Sequence, residues 1–382
     1  MKKVLKVIGK ILLILVVIAI LVYAFVLTFP KLKENPKIGK WYKITNKEML
    51  TANGHQYKAF FKKGKENKVM IYFAGGGSNV DEYTANHKMF NDDVVGIDLL
   101  SNFTMNMGGL ATPSETNPFS DWTIIAFPCA TGDFMTGTGE FKYKGDDGKE
   151  HTLYHHGYTN YTMIMKEILD KVDIRNAEDV IVTGYSAGGF SAVLLADDIF
   201  TNYFPKAKSK EVLIDASLLL KDNWKSVLTD VWHTPESISN KVKTNNLTID
   251  MITSLKEKYG DSINVLFDSS TRDGDLAKTQ EYFDNGNFEV NEEIADKYQQ
   301  MLKEEIPKFK SAGAYLFIWD GLQYYDDPRN MTMHTIIAVP YVFQKFDGAD
   351  KSIAEWLDDA VNGNLNDYGL DLVNKEYSKT EN

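Results

Sequence analysis

Six short apolar runs, at residues 69–73, 123–127, 180–183, 212–214, 263–267 and 314–319, alternate along the chain with longer stretches of helical spacing. Runs of this length that are apolar throughout fit strands buried on both faces. Residues 158–172 place Tyr161, Ile164, Ile168 and Val172 on one helical face, and residues 187–200 form a second helical pattern. Strands alternating with helices imply a mostly parallel sheet with helices on both faces, an α/β architecture. Two segments break the rhythm, 81–121 with its Gly, Asn and Met residues and the polar stretch 221–258, and both read as insertions.

The amino terminus reads differently. Residues 11–29 form an uncharged run of 19, which as a helix spans about 28 Å, close to the thickness of a bilayer's hydrocarbon core. The run ends in Val26, Leu27, Thr28, Phe29 and Pro30, without a small-x-small cleavage site. The expected layout is a cytoplasmic basic start at 1–10, a transmembrane signal anchor at 11–29, a linker at 30–45 and a folded body at 46–382. An anchor of this kind places the body outside the membrane, at the cell surface; cleavage to a secreted product is the alternative.

Residues 1–45 hold nine lysines and one acid, so the remainder carries 33 basic and 52 acidic residues, a net of −19. Without a basic footprint to displace counterions from phosphates, nucleic acid is excluded as a partner. The single cysteine, Cys129, closes no intrachain bridge and reads as a buried small hydrophobe.

The sharpest local signal is VIVTGYSAGGFSAVLLADD, an apolar strand running through Gly184, Tyr185, Ser186, Ala187 and Gly188 into a helix. A strand, G-x-S-x-G, helix sequence puts the serine on a tight turn with its Oγ above the strand ends. The amide of Ala187, at the helix N-terminus, is then free to donate to a developing oxyanion. A second strand ends in Gly75, Gly76, Gly77 and Ser78, where a glycine-rich loop supplies amides from the other direction. That loop fits neither the P-loop nor the dinucleotide-binding spacing.

A serine nucleophile needs an imidazole base and an acid to orient it, in the chain order serine, acid, histidine for this architecture. Only His233 and His334 follow Ser186, and His334 lies shortly after the last apolar run, which favours it. The segment INVLFDSSTRDGD offers Asp268 at a strand end, with Asp273 and Asp275 further out, and position favours Asp273 over Asp268. His155 and His156 precede the nucleophile strand and read equally as packing groups or pocket groups. No cofactor or metal is implied: the HHG pair lacks a spacing such as H-E-x-x-H.

Together these segments resemble the pectin acetylesterase and Notum family of serine hydrolases, from about residue 69 to 340 and in the family's order. YFAGGGSN is similar to its glycine-rich oxyanion segment, NPFSDWTIIAFPCATGDFMTG to its "NP…W…PYC…GD…G" block, and HHGYTNYTMIMKEIL to its "GxxN" helix. VTGYSAGGFSAVLLAD resembles its nucleophile segment, TRDGDLAKTQEYF its acid loop, and MHTI its histidine loop. The resemblance implies an α/β-hydrolase with a triad of Ser186, Asp273 and His334 and an oxyanion hole drawn from the amides of Gly76, Gly77, Ser78 and Ala187. It implies a carboxylic ester hydrolase working through an acyl-enzyme. The leading substrates are O-acyl, most simply O-acetyl, esters on a surface polysaccharide or glycoconjugate. Lipid or protein acyl esters, and a catalytically silent binding module of the same fold, are the alternatives. Many relatives carry a cysteine just after the glycine triplet, able to pair with one in the "PYC" block; Ser78 and Asn79 stand there in this chain, leaving Cys129 unpaired. The acidic body repels a polyanion such as pectin at long range.

Overall fold

The computed structural model describes residues 29–92, 108–322 and 327–377. Eight strands form one sheet in the order β1 (Trp41–Ile44), β2 (Ala59–Lys62), β4 (Thr123–Phe127), β3 (Lys68–Phe73), β7 (Asp179–Tyr185), β8 (Ser209–Asp215), β9 (Asn264–Ser270) and β10 (Ala314–Trp319). β1 and β2 are antiparallel to their neighbours, and the six strands from β4 to β10 run parallel. The six parallel strands are the six apolar runs, four of them one to four residues longer than the run itself. β5 (Gly139–Lys144) and β6 (Glu150–His155) form a separate hairpin.

The principal helices are α1 (Glu82–Asn86), α2 (Gly157–Lys171), α3 (Ala187–Asp198), α4 (Leu247–Tyr259), α5 (Gly274–Asn285), α6 (Glu292–Ser311) and α7 (Ile353–Val361). Side chains alternate across the sheet, so Ile71, Val182, Ile214 and Phe267 meet the apolar stripes of α2, α3, α4 and α6 on one face. On the other face Tyr72, Ile181, Leu213 and Leu266 meet Ile336, Ile337 and the Trp356 face of α7. In α2 the buried set Tyr161, Ile164, Met165 and Ile168 follows the three-four spacing expected from sequence.

Three expectations change. The segment 30–45 is no free linker: β1 lies within it, and the Leu32 amide donates to the Lys43 carbonyl at 2.9 Å, burying Leu32. Segment 221–258, expected as a polar insertion, contributes to the core: Trp224, Leu228 and Trp232 are fully buried, and Met251, Ile252 and Leu255 of α4 pack with them. Of segment 81–121, Leu110, Ala111 and Phe119 are core residues, while 93–107 lie outside the described residues. The expected anchor, apart from Phe29, and the basic start before it also lie outside them. Among the described residues no helix is long and apolar enough to cross a membrane.

Candidate active site

The site grows from the carboxyl ends of the parallel strands. Ser186 caps α3 at the end of β7 with φ 54° and ψ −128°, a left-handed conformation that a serine adopts only under constraint. Its neighbours must be small, since a Cβ on Gly188 would lie 2.1 Å from the Phe73 carbonyl. The Ser186 amide donates to the Asp215 carbonyl at 2.9 Å, and the Ser217 hydroxyl donates to the Ser186 carbonyl at 2.7 Å. The turn is thereby fixed to β8.

Asp273 is the N-cap of α5. Its Oδ1 accepts from the amides of Asp275 at 3.1 Å and Leu276 at 2.9 Å, and its Oδ2 accepts from Nδ1 of His334 at 2.7 Å. One carboxylate therefore caps a helix and orients an imidazole, and the positive helix terminus favours its charge. A short parallel bridge between Asp273 and Thr332 ties the two loops together. Asp273 is fully buried and His334 keeps 17% of its side chain exposed. Burial pulls the His334 imidazolium down, but the charge and hydrogen bond of Asp273, with Asp275 and Asp215 behind it, outweigh burial and lift its pKa to about 9. Burial pushes the Asp273 carboxyl up, against the pull of the His334 charge.

Asp268, the other acid considered from sequence, is not on His334. It is buried within the sheet and accepts from the Trp319 indole at 3.2 Å. His233 packs against the start of β5, its carbonyl accepting from the Thr138 hydroxyl at 2.6 Å. His155 is a brace: its ring bonds the Thr131 carbonyl at 2.8 Å and the Asn79 side-chain oxygen at 3.0 Å, and burial lowers its pKa. His156 caps α2 without a side-chain hydrogen bond.

The glycine loop abuts the serine turn, since a Cβ on Gly75 would come within 3.0 Å of the Ser186 Cβ. Gly77 has φ +71° and a carbonyl, that of Met89, 2.1 Å from where its Cβ would be, so no larger residue fits. The amides of Gly76, Gly77 and Ala187 meet no acceptor among the described residues. Ser78 differs from expectation, because its amide already donates to the Met89 carbonyl at 3.1 Å. The loop has no disulfide and is held by hydrogen bonds. Asn79 donates its amide to the Gly132 carbonyl at 2.8 Å, and its own carbonyl accepts from the Trp232 indole at 2.5 Å. The Cys129 thiol points at the Gly77 carbonyl from 3.7 Å, and burial, with the charge of Asp133, pushes it up to about 12, which keeps it inert.

Two cavities open at the site, and α5 stands between them. Leu276, Thr279 and Phe283 face a pocket of about 40 Å³ that also contains Ser186, Ala187, Phe134 and Phe190. Asp275 and Lys278, on the adjoining face, line a cleft of about 360 Å³ with Asp327, Arg329 and His334. Among the described residues no three histidine, cysteine or acidic side chains cluster as a metal site requires.

Sequence reasoning missed two supports. Arg272 is fully buried, with Nε on the Asn330 carbonyl at 2.7 Å and Nη1 on Asp296 and on Gln299 at 2.9 Å, which anchors the acid loop to α6. Asp215 accepts from the amides of Ile336 at 2.8 Å and Ile337 at 2.9 Å, just past His334. The T-R-D-G-D run held a signal for the first, an arginine beside the acid. No local pattern marked the second.

This arrangement, a mostly parallel sheet with a strained serine between strand and helix and a histidine loop beyond the last strand, defines an α/β-hydrolase-like protein. The fold is similar to that of the Wnt deacylase Notum from Drosophila: one crystal form shares 15% identity at a TM-score of 0.60, covering 85% of this chain and 95% of that one. A second crystal form gives 14% identity, a TM-score of 0.54, and 85% and 94% coverage. The pectinacetylesterase family matches residues 51–269, and the chain belongs to it. It is a carboxylic ester hydrolase.

Proposed function

We propose that the protein is a serine esterase that removes small acyl groups, most simply acetyl, from a polysaccharide or glycoconjugate. The Ser186 hydroxyl attacks the ester carbonyl as neutral His334 takes its proton, and the amides of Ala187 and Gly77 receive the oxyanion. Protonated His334 then gives its proton to the leaving alcohol. Water, deprotonated in turn by His334, releases the acid from Ser186, and Asp273 holds the imidazole in one tautomer throughout.

The observation that carries the substrate class is the inequality of the two cavities. The acyl group stays beside Ser186, where about 40 Å³ of apolar space suits two or three heavy atoms. The alcohol leaves toward His334, where about 360 Å³ is walled by acids and bases, a setting for a hydroxyl-rich acceptor. Pocket size also argues against long lipid acyl chains. A panel of 4-nitrophenyl esters tests this: acetate is expected to be turned over fastest, with a steep fall by hexanoate. A rise with chain length overturns the acetyl reading in favour of a lipid or protein acyl ester.

The uncharged run at 11–29 supports an N-terminal anchor with the body outside the membrane. Protease added to intact cells is then expected to shed the esterase; a soluble product starting near residue 30 points to a cleaved signal peptide.

A further inference from the structure

Asp215, the last residue of β8, and Asp268, two residues short of the end of β9, are direct register partners, and both are completely buried. As register partners on neighbouring strands, their side chains stand side by side on one face of the sheet. Each has one oxygen occupied: Asp215 Oδ2 by the amides of Ile336 and Ile337, and Asp268 Oδ1 by the Trp319 indole. The other oxygen of each, Asp215 Oδ1 and Asp268 Oδ2, has no donor among the described residues. Among the described residues no lysine or arginine is paired with either. Two adjacent buried carboxyl groups without a cation between them cannot both be ionised, because desolvation and mutual repulsion both oppose the second charge. A single proton answers both orphaned oxygens at once.

We propose that Asp215 and Asp268 share one proton, with Asp268 donating to Asp215, and that this acid pair is the positioning element that registers the His334 loop against the Ser186 turn. The connectivity supports it from both ends. The main-chain carbonyl of Asp215 receives the Ser186 amide at 2.9 Å, while its carboxylate receives two amides from the residues just after Thr335, which has φ 61°. One residue thus holds the nucleophile through its backbone and the base through its side chain. The main-chain amide of Ala216 donates to the Asp268 carbonyl at 2.9 Å, locking the two strand ends together.

The groups that face the pair fit a single shared proton. Asp215 is faced by Asp268, by Tyr185 in register on β7, by Tyr72 of β3 and, further off, by His334. Asp268 is faced by Asp215 and the Trp319 indole. Burial lifts Asp215 to about 6, against the Ile337 and Ile336 amides that lower it. Burial, then the charge of Asp215, pushes Asp268 well above the ordinary carboxylate range. The two main-chain amides on the Asp215 carboxylate favour the charge there, which leaves the proton on Asp268. Alkali that removes it sets two carboxylates against each other and loosens the loop.

This inference rests on the serine-esterase reading only for its positioning half, and the experiment separates the two. Infrared difference spectra of full-length protein at about pH 8, where exposed carboxyls are ionised, are expected to show a protonated carboxyl band that disappears in Asp268→Asn. Asp268→Ala, which leaves Asp215 without its donor, is expected to lower kcat on the order of tenfold with little change in KM. Asp268→Asn, whose amide donates without titrating, is expected to restore most of that loss and to lack the alkaline fall in kcat expected of the wild type. Absence of the band, a band that survives Asp268→Asn, or an alkaline limb identical in wild type and Asp268→Asn overturns the proposal. Ser186→Ala is expected to abolish turnover and keep the band; if it keeps both, the serine reading fails while the shared proton stands.

Discussion

Beside Ser186 the walls are rings and aliphatic chains around about 40 Å³ of space, whereas beside His334 they are Asp275, Lys278, Asp327 and Arg329 around about 360 Å³. A single helix makes the difference. Along α5, positions 276, 279 and 283 turn to the pocket and positions 275 and 278 to the cleft, and the helix begins at Asp273, which holds the imidazole. A narrow apolar pocket discriminates by size, because each extra methylene must find room, while a wide charged cleft discriminates by hydrogen bonding and tolerates variation in shape. The acyl group is therefore the strictly read half of the substrate and the acceptor the loosely read half.

The largest effect bears on the imidazole that lines the cleft. Asp273→Asn retains a capping oxygen for α5 but loses the charge that stabilises the imidazolium and fixes its tautomer. Turnover is expected to fall on the order of 10⁴-fold, by analogy with the protease triad, with the fold retained. A mutant that remains within tenfold of wild type removes Asp273 from the mechanism.

The acyl side is sharpened by Phe283→Ala, which opens the pocket from a half-buried position. Butyrate is expected to gain on acetate by about 15-fold in kcat/KM, at about 0.8 kcal/mol for each of two methylenes. An unchanged ratio means that Phe283 does not set acyl length.

The acceptor side gives a smaller change. Lys278→Ala is expected to raise KM a few-fold for an acetylated oligosaccharide and to leave 4-nitrophenyl acetate almost unaffected, since a compact aryl leaving group makes little use of the cleft. Equal effects on both substrates place Lys278 outside acceptor binding.

The pH dependence follows from the raised pKa of His334. The base acts when neutral, so the acidic limb of kcat/KM is expected near pH 9, above the ordinary histidine value of about 6.5, and to move down in Asp273→Asn. For stability the sign runs the same way. A histidine held above its unfolded pKa contributes fully below about 6.5 and loses that contribution as pH rises through about 9. The melting temperature is expected to decline over that window, less so in Asp273→Asn.

What the sequence disclosed tracks how local the cause is. The parallel strands were legible because central strands buried on both faces are continuous apolar runs, and the nucleophile turn because glycine spacing and a serine sit within five residues. β5 was not legible: its GEFKYK pattern alternates half-buried and exposed residues in an outlying hairpin. α4 was hidden by the polar residues of its exposed side, although Leu247, Met251, Ile252 and Leu255 carry a helical stripe. Ser78 was assigned a free amide because its pairing with Met89 joins residues eleven apart through a turn that no motif marks. Asp215 was invisible for the strongest reason: its partners, Ser186, Asp268, Ile336 and Ile337, come together only through strand order and register.

The account turns on Ser186 as a nucleophile placed between an acyl pocket and a leaving-group cleft. Fluorophosphonate treatment of the folded protein, followed by peptide mass mapping, tests it directly. The expected result is one adduct, on the peptide containing Ser186, absent from Ser186→Ala and suppressed by prior incubation with a small acetyl ester. A folded protein that takes no adduct, or an adduct that persists in Ser186→Ala, contradicts it.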